Sequence, residues 1–164
     1  MSQTTTGFDT KAHLAFWARR VGVMFSKDLR HIPEDKFKVS PGGKARPIQD
    51  ITAEVVAYNR LAAATLRGEE ARTATPEVKE AMKAELTDPT TSREIVQASA
   101  EALAQAIESA SHERLCETML APWGAELPGY AMANVCAGHM WYHDAQLNYF
   151  QALHGDDQVH WAEE

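Results

Sequence analysis

The stretch GYAMANVCAGHMWYHDAQLNYFQAL, residues 129–153, decides the fold, because its apolar side chains recur every three or four positions. This spacing predicts an amphipathic helix from about Gly129 to Leu153 that stops before Gly155. Its inward stripe consists of Met132, Val135, Cys136, His139, His143, Leu147 and Phe150. Two imidazoles are therefore expected on the buried face of a long helix.

The same spacing predicts three further long helices. The first runs from about Asp9 to Asp28, and the second from Pro47, a residue suited to the first helical position, to Arg67. Gly68 is the expected stop of the second helix. The third opens at Thr91 and ends near Ser111. Long amphipathic helices of this kind pack together, so the predicted fold is an all-α four-helix bundle with an extra short helix.

The connecting segments carry their own signals. Thr75–Leu86 is predicted as the short helix, with Thr75 as its N-cap, and Asp88-Pro89 breaks it. Thr91-Ser92-Arg93-Glu94 is a capping-box pattern, in which the first and last residues satisfy each other's backbone N–H groups. One helical turn is expected at Pro33–Phe37 inside a long connection, and Leu115–Pro128 is predicted to be mostly loop.

Length and charge narrow the class of protein. The 164 residues fit one domain spanning 1–164, in which residues 1–8 are polar and expected to be a flexible N-terminus. A net charge of -7, from 16 basic and 23 acidic side chains, disfavours nucleic-acid binding. No run of 18 apolar residues is present, which predicts no membrane span. Two distant cysteines and no signal-peptide pattern indicate a cytoplasmic protein.

The two histidines of the last helix are candidate metal ligands. His139 and His143 lie four residues apart and therefore on one helical face. Glu54 lies inside the apolar stripe of the second helix, where an ionised carboxylate is costly unless it is paired or metal-bound. These three residues are the predicted ligands of one divalent ion, and their type alone does not choose among zinc, nickel, iron and manganese. The alternatives are hydrogen-bonded core histidines and a Glu54 that reaches water.

Three further residues are candidates for the surrounding pocket. Asp50 precedes Glu54 by four residues and is either a ligand or a partner of one, or simply an acid favoured by the helix dipole. Tyr58 follows Glu54 by one turn and is placed to hydrogen-bond a substrate. Gln146 follows His143 by three residues and is expected to touch the pocket or the next helix.

Several other ionisable or nucleophilic residues are not expected to bind the ion or to act in catalysis, and these residues are set aside. Asp144 lies about 100° around the helix from His143 and is not expected to bind the ion. Cys136 shares the inward stripe and is interpreted as a buried, inert thiol, and Cys116 has no partner that suggests a nucleophile. The remaining histidines are interpreted as surface residues: His13, His31, His112, His154 and His160.

Three segments resemble the DinB-like (YfiT-like) superfamily: His139–Tyr149, with its HxxxH, glutamine and tyrosine; Arg46–Val55; and Pro-Trp-Gly at 122–124. The resemblance implies a four-helix bundle that is often dimeric. It also implies a metal ion, zinc or nickel, held by three histidines, of which two correspond to His139 and His143. Glu54 stands at the position of the first.

The resemblance also implies functions. Relatives include enzymes that use low-molecular-weight thiols, and some hydrolases. We therefore expect a metal-dependent enzyme that transfers a small thiol to a small electrophile and acts as a homodimer. The alternatives are metal-assisted hydrolysis and a non-catalytic helical scaffold or small-molecule-binding protein.

Overall fold

The computed structural model describes residues 9–162, so the flexible N-terminus predicted for residues 1–8 lies outside the described part. The six α-helices of this part are α1 Thr10–Leu29, α2 Ile48–Leu66, α3 Pro76–Glu85, α4 Pro89–Ser109, α5 His112–Cys116 and α6 Gly129–Leu153. Two short strands, β1 Thr118–Leu120 and β2 Glu126–Pro128, form a hairpin. Two single 3-10 turns lie at Glu34–Lys36 and His160–Ala162. The predicted all-α fold is confirmed.

The four long helices form the bundle. Helix α1 packs against α4 and α6, and α2 packs against the same two helices. Apolar side chains from all four helices fill the space between them, including Phe25, Val55, Leu103 and Met132, each fully buried. Val135, predicted on the inward stripe of α6, is instead 43% exposed. That stripe is narrower than predicted, because Val135 lies about 100° around the helix from its neighbour Cys136.

Helices α1 and α4 approach each other closely at one glycine. A Cβ on Gly22 would overlap the Cβ of Ala100, far inside van der Waals contact. The missing side chain therefore allows the two helix backbones to pack together at this level of the bundle.

The start of α4 corrects one prediction. The helix begins at Pro89, and the Asp88 carboxylate accepts a hydrogen bond from the Thr91 backbone N–H at 2.8 Å. The predicted capping box between Thr91 and Glu94 is therefore wrong, because Asp88 is the N-cap and already satisfies that N–H. Proline at the first helical position extends the helix toward the N-terminus.

The other boundaries of the second and short helices differ little from prediction. Pro47 immediately precedes α2 instead of opening it. Gly68, with φ +86°, follows the helix as its predicted stop. Thr75 caps α3 through its hydroxyl, which accepts from the Val78 backbone N–H. The expected single turn in the long connection is present at Glu34–Lys36.

Residues 115–128, predicted to be mostly loop, contain the end of the short helix α5 and the whole β1–β2 hairpin. Met119 pairs with Leu127 across the hairpin, and Gly124 forms its turn with φ +89°. The strands are only three residues long, so they leave no alternating pattern long enough to recognise in the sequence. The hairpin turn brings Trp123 against Tyr58 of α2, with ring centroids 5.7 Å apart.

The chain beyond α6 folds back onto α1, which corrects another prediction. His160 is 6% exposed, and its ring stacks on the partly buried His31 with centroids 3.4 Å apart. Its Nε2 lies 2.9 Å from an Asp156 carboxylate oxygen. The surface interpretation of His160 is therefore wrong, because helical periodicity says nothing about where a tail returns. Within residues 9–162, no helix has the length and apolar character to cross a lipid bilayer.

Candidate metal centre

Helices α2 and α6 bring the three predicted ligands together. Potential ligand atoms of Glu54, His139 and His143 all lie within 4.8 Å of one another. The two Nε2 atoms are 3.0 Å apart, and a Glu54 carboxylate oxygen, Oε2, lies 3.6 Å from His143 Nε2. Two donors bound at 2.0–2.1 Å to one tetrahedral ion are about 3.4 Å apart. The spacing and the donor types therefore fit a single divalent ion.

Gln146 orients one of the two imidazoles. Its side-chain oxygen Oε1 lies 2.8 Å from Nδ1 of His143, a residue that is only 2% exposed. A carbonyl oxygen accepts hydrogen bonds, so Gln146 favours the His143 tautomer that has its proton on Nδ1, whose Nε2 can bind a metal ion. Nε2 of His143 faces His139 and Glu54. The pocket candidate Gln146 therefore contacts a candidate ligand.

The charge states of the other two ligands also suit a cation at neutral pH. Burial, and then the neighbouring His143, lower the pKa of His139 to about 4, so its imidazole is neutral. The pKa of Glu54 lies well below its usual range, first because of the contact with His143 and then because of Lys79 and Arg46. These effects exceed the opposing effect of burial, so the carboxylate is ionised. Ligands must be in these forms to bind a metal.

Two basic residues contact the same carboxylate, and the sequence reasoning missed their roles. Arg46 lies 2.6 Å from Oε2 of Glu54, and Lys79 lies 2.6 Å from Oε1. Each carboxylate oxygen has two acceptor sites, so one remains on each for an ion. Arg46 comes just before α2, but Lys79 is on the separate helix α3. No sequence spacing connects that lysine with Glu54.

The other two pocket candidates have different surroundings. The Tyr58 ring stacks on His139 with centroids 4.4 Å apart, which holds the imidazole from the α2 side. Burial and the nearby Glu54 charge raise the pKa of Tyr58, so its hydroxyl keeps its proton. Asp50, in contrast, pairs with Lys83 of α3 at 2.5 Å and is not part of the three-ligand group.

None of the residues that were set aside belongs to the group of three candidate ligands. Asp144 is fully buried on another face of α6, and its burial, together with the neighbouring Asp28, raises its pKa. Cys136 is buried as expected, and its burial raises the pKa of the thiol to about 12. His31, Asp156 and His160 form the second group of potential ligands found within the described residues.

Comparisons with known proteins agree with this architecture. The crystal structure of the mycothiol-dependent maleylpyruvate isomerase is similar, with a TM-score of 0.64 and 19% identity. A histidine-to-alanine mutant of that isomerase gives a TM-score of 0.66 at 21% identity. Each match covers 84% of this chain but 60% of the other, so this chain spans about three fifths of the isomerase. At such identities the likeness concerns the fold alone.

A search of curated proteins gives no match. The sequence profile of the DinB superfamily matches residues 12–147, which include most of the bundle and all three candidate ligands. This chain therefore belongs to the DinB superfamily.

Proposed function

We propose that this protein is a metal-dependent enzyme that transfers a low-molecular-weight thiol to a small electrophile. The observation that carries the proposal is the convergence of Glu54, His139 and His143 from two helices around one point. Two imidazoles and one carboxylate leave coordination positions open on a divalent ion, as catalytic sites require. Zinc or nickel is the proposed metal, because the resemblance to the superfamily implies these two ions and both accept nitrogen and carboxylate ligands.

The residues of the chain have distinct parts in this proposal. Gln146 keeps the Nε2 lone pair of His143 directed at the centre, and the Tyr58 ring supports His139. Arg46 and Lys79 hold the Glu54 side chain in place between them. A bound divalent ion supplies stabilisation of a thiolate, which makes the thiol a nucleophile near neutral pH.

The superfamily assignment supports a thiol cosubstrate. The similar crystal structures are those of an isomerase described as mycothiol-dependent, so a related fold accommodates thiol chemistry. A single domain over residues 1–164, a cytoplasmic location and a homodimer belong to the same proposal.

A non-catalytic scaffold is the second candidate, and one observation favours it. Arg46 and Lys79 already neutralise Glu54, so the buried carboxylate does not require an ion for its stability. The enzyme is expected to catalyse thiol transfer when it holds a metal ion, whereas the scaffold is expected to catalyse none.

The test is a thiol-transfer assay on purified protein loaded with zinc or nickel. Mycothiol, glutathione and cysteine are each offered with a chromogenic aryl halide as the electrophile. We expect metal-dependent turnover that His143→Ala abolishes, whereas His112→Ala, a change at an exposed histidine, leaves it intact. Circular dichroism checks that both variants fold. Bound metal without turnover for any thiol would instead support the scaffold.

A further inference from the structure

A groove of about 620 Å³ opens beside the metal centre. It lies between the connection that follows α1, the start of α2 and the outer face of α6. Three of its lining residues contact candidate ligands. Gln146 hydrogen-bonds His143, the Tyr142 ring lies 4.9 Å from the His143 ring, and Arg46 pairs with Glu54. The three candidate ligands themselves do not line the groove, so a molecule in it contacts the residues that surround the centre.

One wall of the groove is an exposed apolar stripe on α6. Tyr142, Tyr149 and Leu153 follow one another at helical spacing and are 61%, 69% and 55% exposed. Ile51 and Phe150 lie beneath them and extend the apolar lining into the core. A concave surface that exposes several large apolar side chains together is typical of a ligand-binding site.

The polar part of the groove is positively charged. Lys44 and Arg46 line it, and no acidic residue does, although the whole protein carries a net charge of -7. Lys44 lies in a hydrogen-bonded turn, in which the Ser40 hydroxyl donates to the Ala45 carbonyl at 2.6 Å. Arg46 and Lys79 together outnumber the single Glu54 charge that they contact. The groove therefore attracts an anion.

We infer that this groove binds a small organic carboxylate with an apolar or aromatic body. The carboxylate pairs with Lys44 and Arg46, and the body packs on Tyr149 and Leu153. This inference rests on the proposed function in one respect: the natural acid carries an electrophilic carbon, to which the thiol sulfur bonds as a leaving group departs with its electron pair and the thiol proton passes to solvent. Binding itself needs no metal ion, which allows the two ideas to be tested separately.

The experiment measures binding of phenylpropanoate to protein stripped of metal with a chelator, by calorimetry. Stripping prevents a direct bond between the carboxylate and an ion. We expect phenylpropanoate to bind more tightly than both uncharged phenylpropanamide and propanoate, which lacks the aromatic body. Lys44→Gln should weaken phenylpropanoate binding about fivefold, the effect of losing roughly 1 kcal/mol from an exposed ion pair. Binding of the amide should not change.

Lys38→Gln is the matched control, because Lys38 is an exposed lysine of the same connection that does not line the groove. Leu153→Asp provides a second variant, which places a negative charge in the groove at an exposed position and should abolish phenylpropanoate binding. Equal affinities for acid and amide, or equal effects of the two lysine variants, would overturn the inference. If the protein binds metal but does not bind phenylpropanoate, this inference alone is refuted. If it binds phenylpropanoate but takes up no metal, the metal-dependent function alone is refuted.

Discussion

Replacing Gln146 by leucine should weaken metal binding without unfolding the protein. The substitution removes the acceptor 2.8 Å from Nδ1 of His143, and the leucine that fills its place offers no acceptor to this buried imidazole. A buried N–H without a partner costs about 1–3 kcal/mol, so the imidazole shifts toward the form protonated on Nε2, which cannot bind a metal. We therefore expect affinity to fall by about fivefold to 150-fold, which overlaps the range measured for such supporting residues.

The assay is competition for zinc with a chromophoric chelator at neutral pH. Gln146→Glu restores an acceptor of nearly the same shape and should bind zinc at least as tightly as the original protein. Gln105→Leu is the control, because Gln105 is an exposed glutamine that bonds Glu101 on α4, away from the centre. Zinc affinity of Gln146→Leu equal to that of Gln105→Leu would refute the orienting role of this glutamine.

Three further predictions concern stability. Burial and the neighbouring Asp28 raise the pKa of Asp144, so the folded protein keeps a proton that the unfolded chain releases. The free energy of unfolding should therefore fall as pH rises above the ordinary pKa of an aspartate, and Asp144→Asn should flatten the fall in urea titrations. Gly22→Ala should destabilise by about 1–3 kcal/mol because the helices must part, whereas Gly138→Ala, with open space around it, should stabilise by about 0.5–1 kcal/mol in the same titrations. Asp88→Ala should lower the free energy of unfolding by about 1 kcal/mol, and Glu94→Ala should leave it unchanged. A larger loss for Glu94→Ala than for Asp88→Ala would instead support the capping box between Thr91 and Glu94.

The sequence predicts the bundle and the relative placement of the site because both depend on helical periodicity. In α6, the spacing of apolar residues determines which face is inward, and His139 and His143 share that face. In α2, the same reasoning places Glu54 between buried Ile51 and partly buried Tyr58. Neighbouring helices with inward polar groups then bring those groups together.

What the sequence does not predict depends on tertiary contacts or on competition between nearby signals. Lys79 reaches Glu54 only because α3 packs on α2, and His160 is buried only because the tail returns to α1. At the start of α4, the capping-box pattern predicted Thr91 as the cap, whereas Asp88, three residues earlier, caps the helix. Residues that contact the site from other elements, such as Lys79, can therefore be identified only from the folded structure.

The most direct test of the central claim is crystallographic. Diffraction data are collected at the zinc absorption edge from crystals of protein that has been incubated with zinc. The account predicts one anomalous peak per chain at about 2.0–2.2 Å from Nε2 of both His139 and His143 and from a carboxylate oxygen of Glu54. A peak elsewhere, or none at this point while Arg46 and Lys79 still hold the carboxylate, would contradict it.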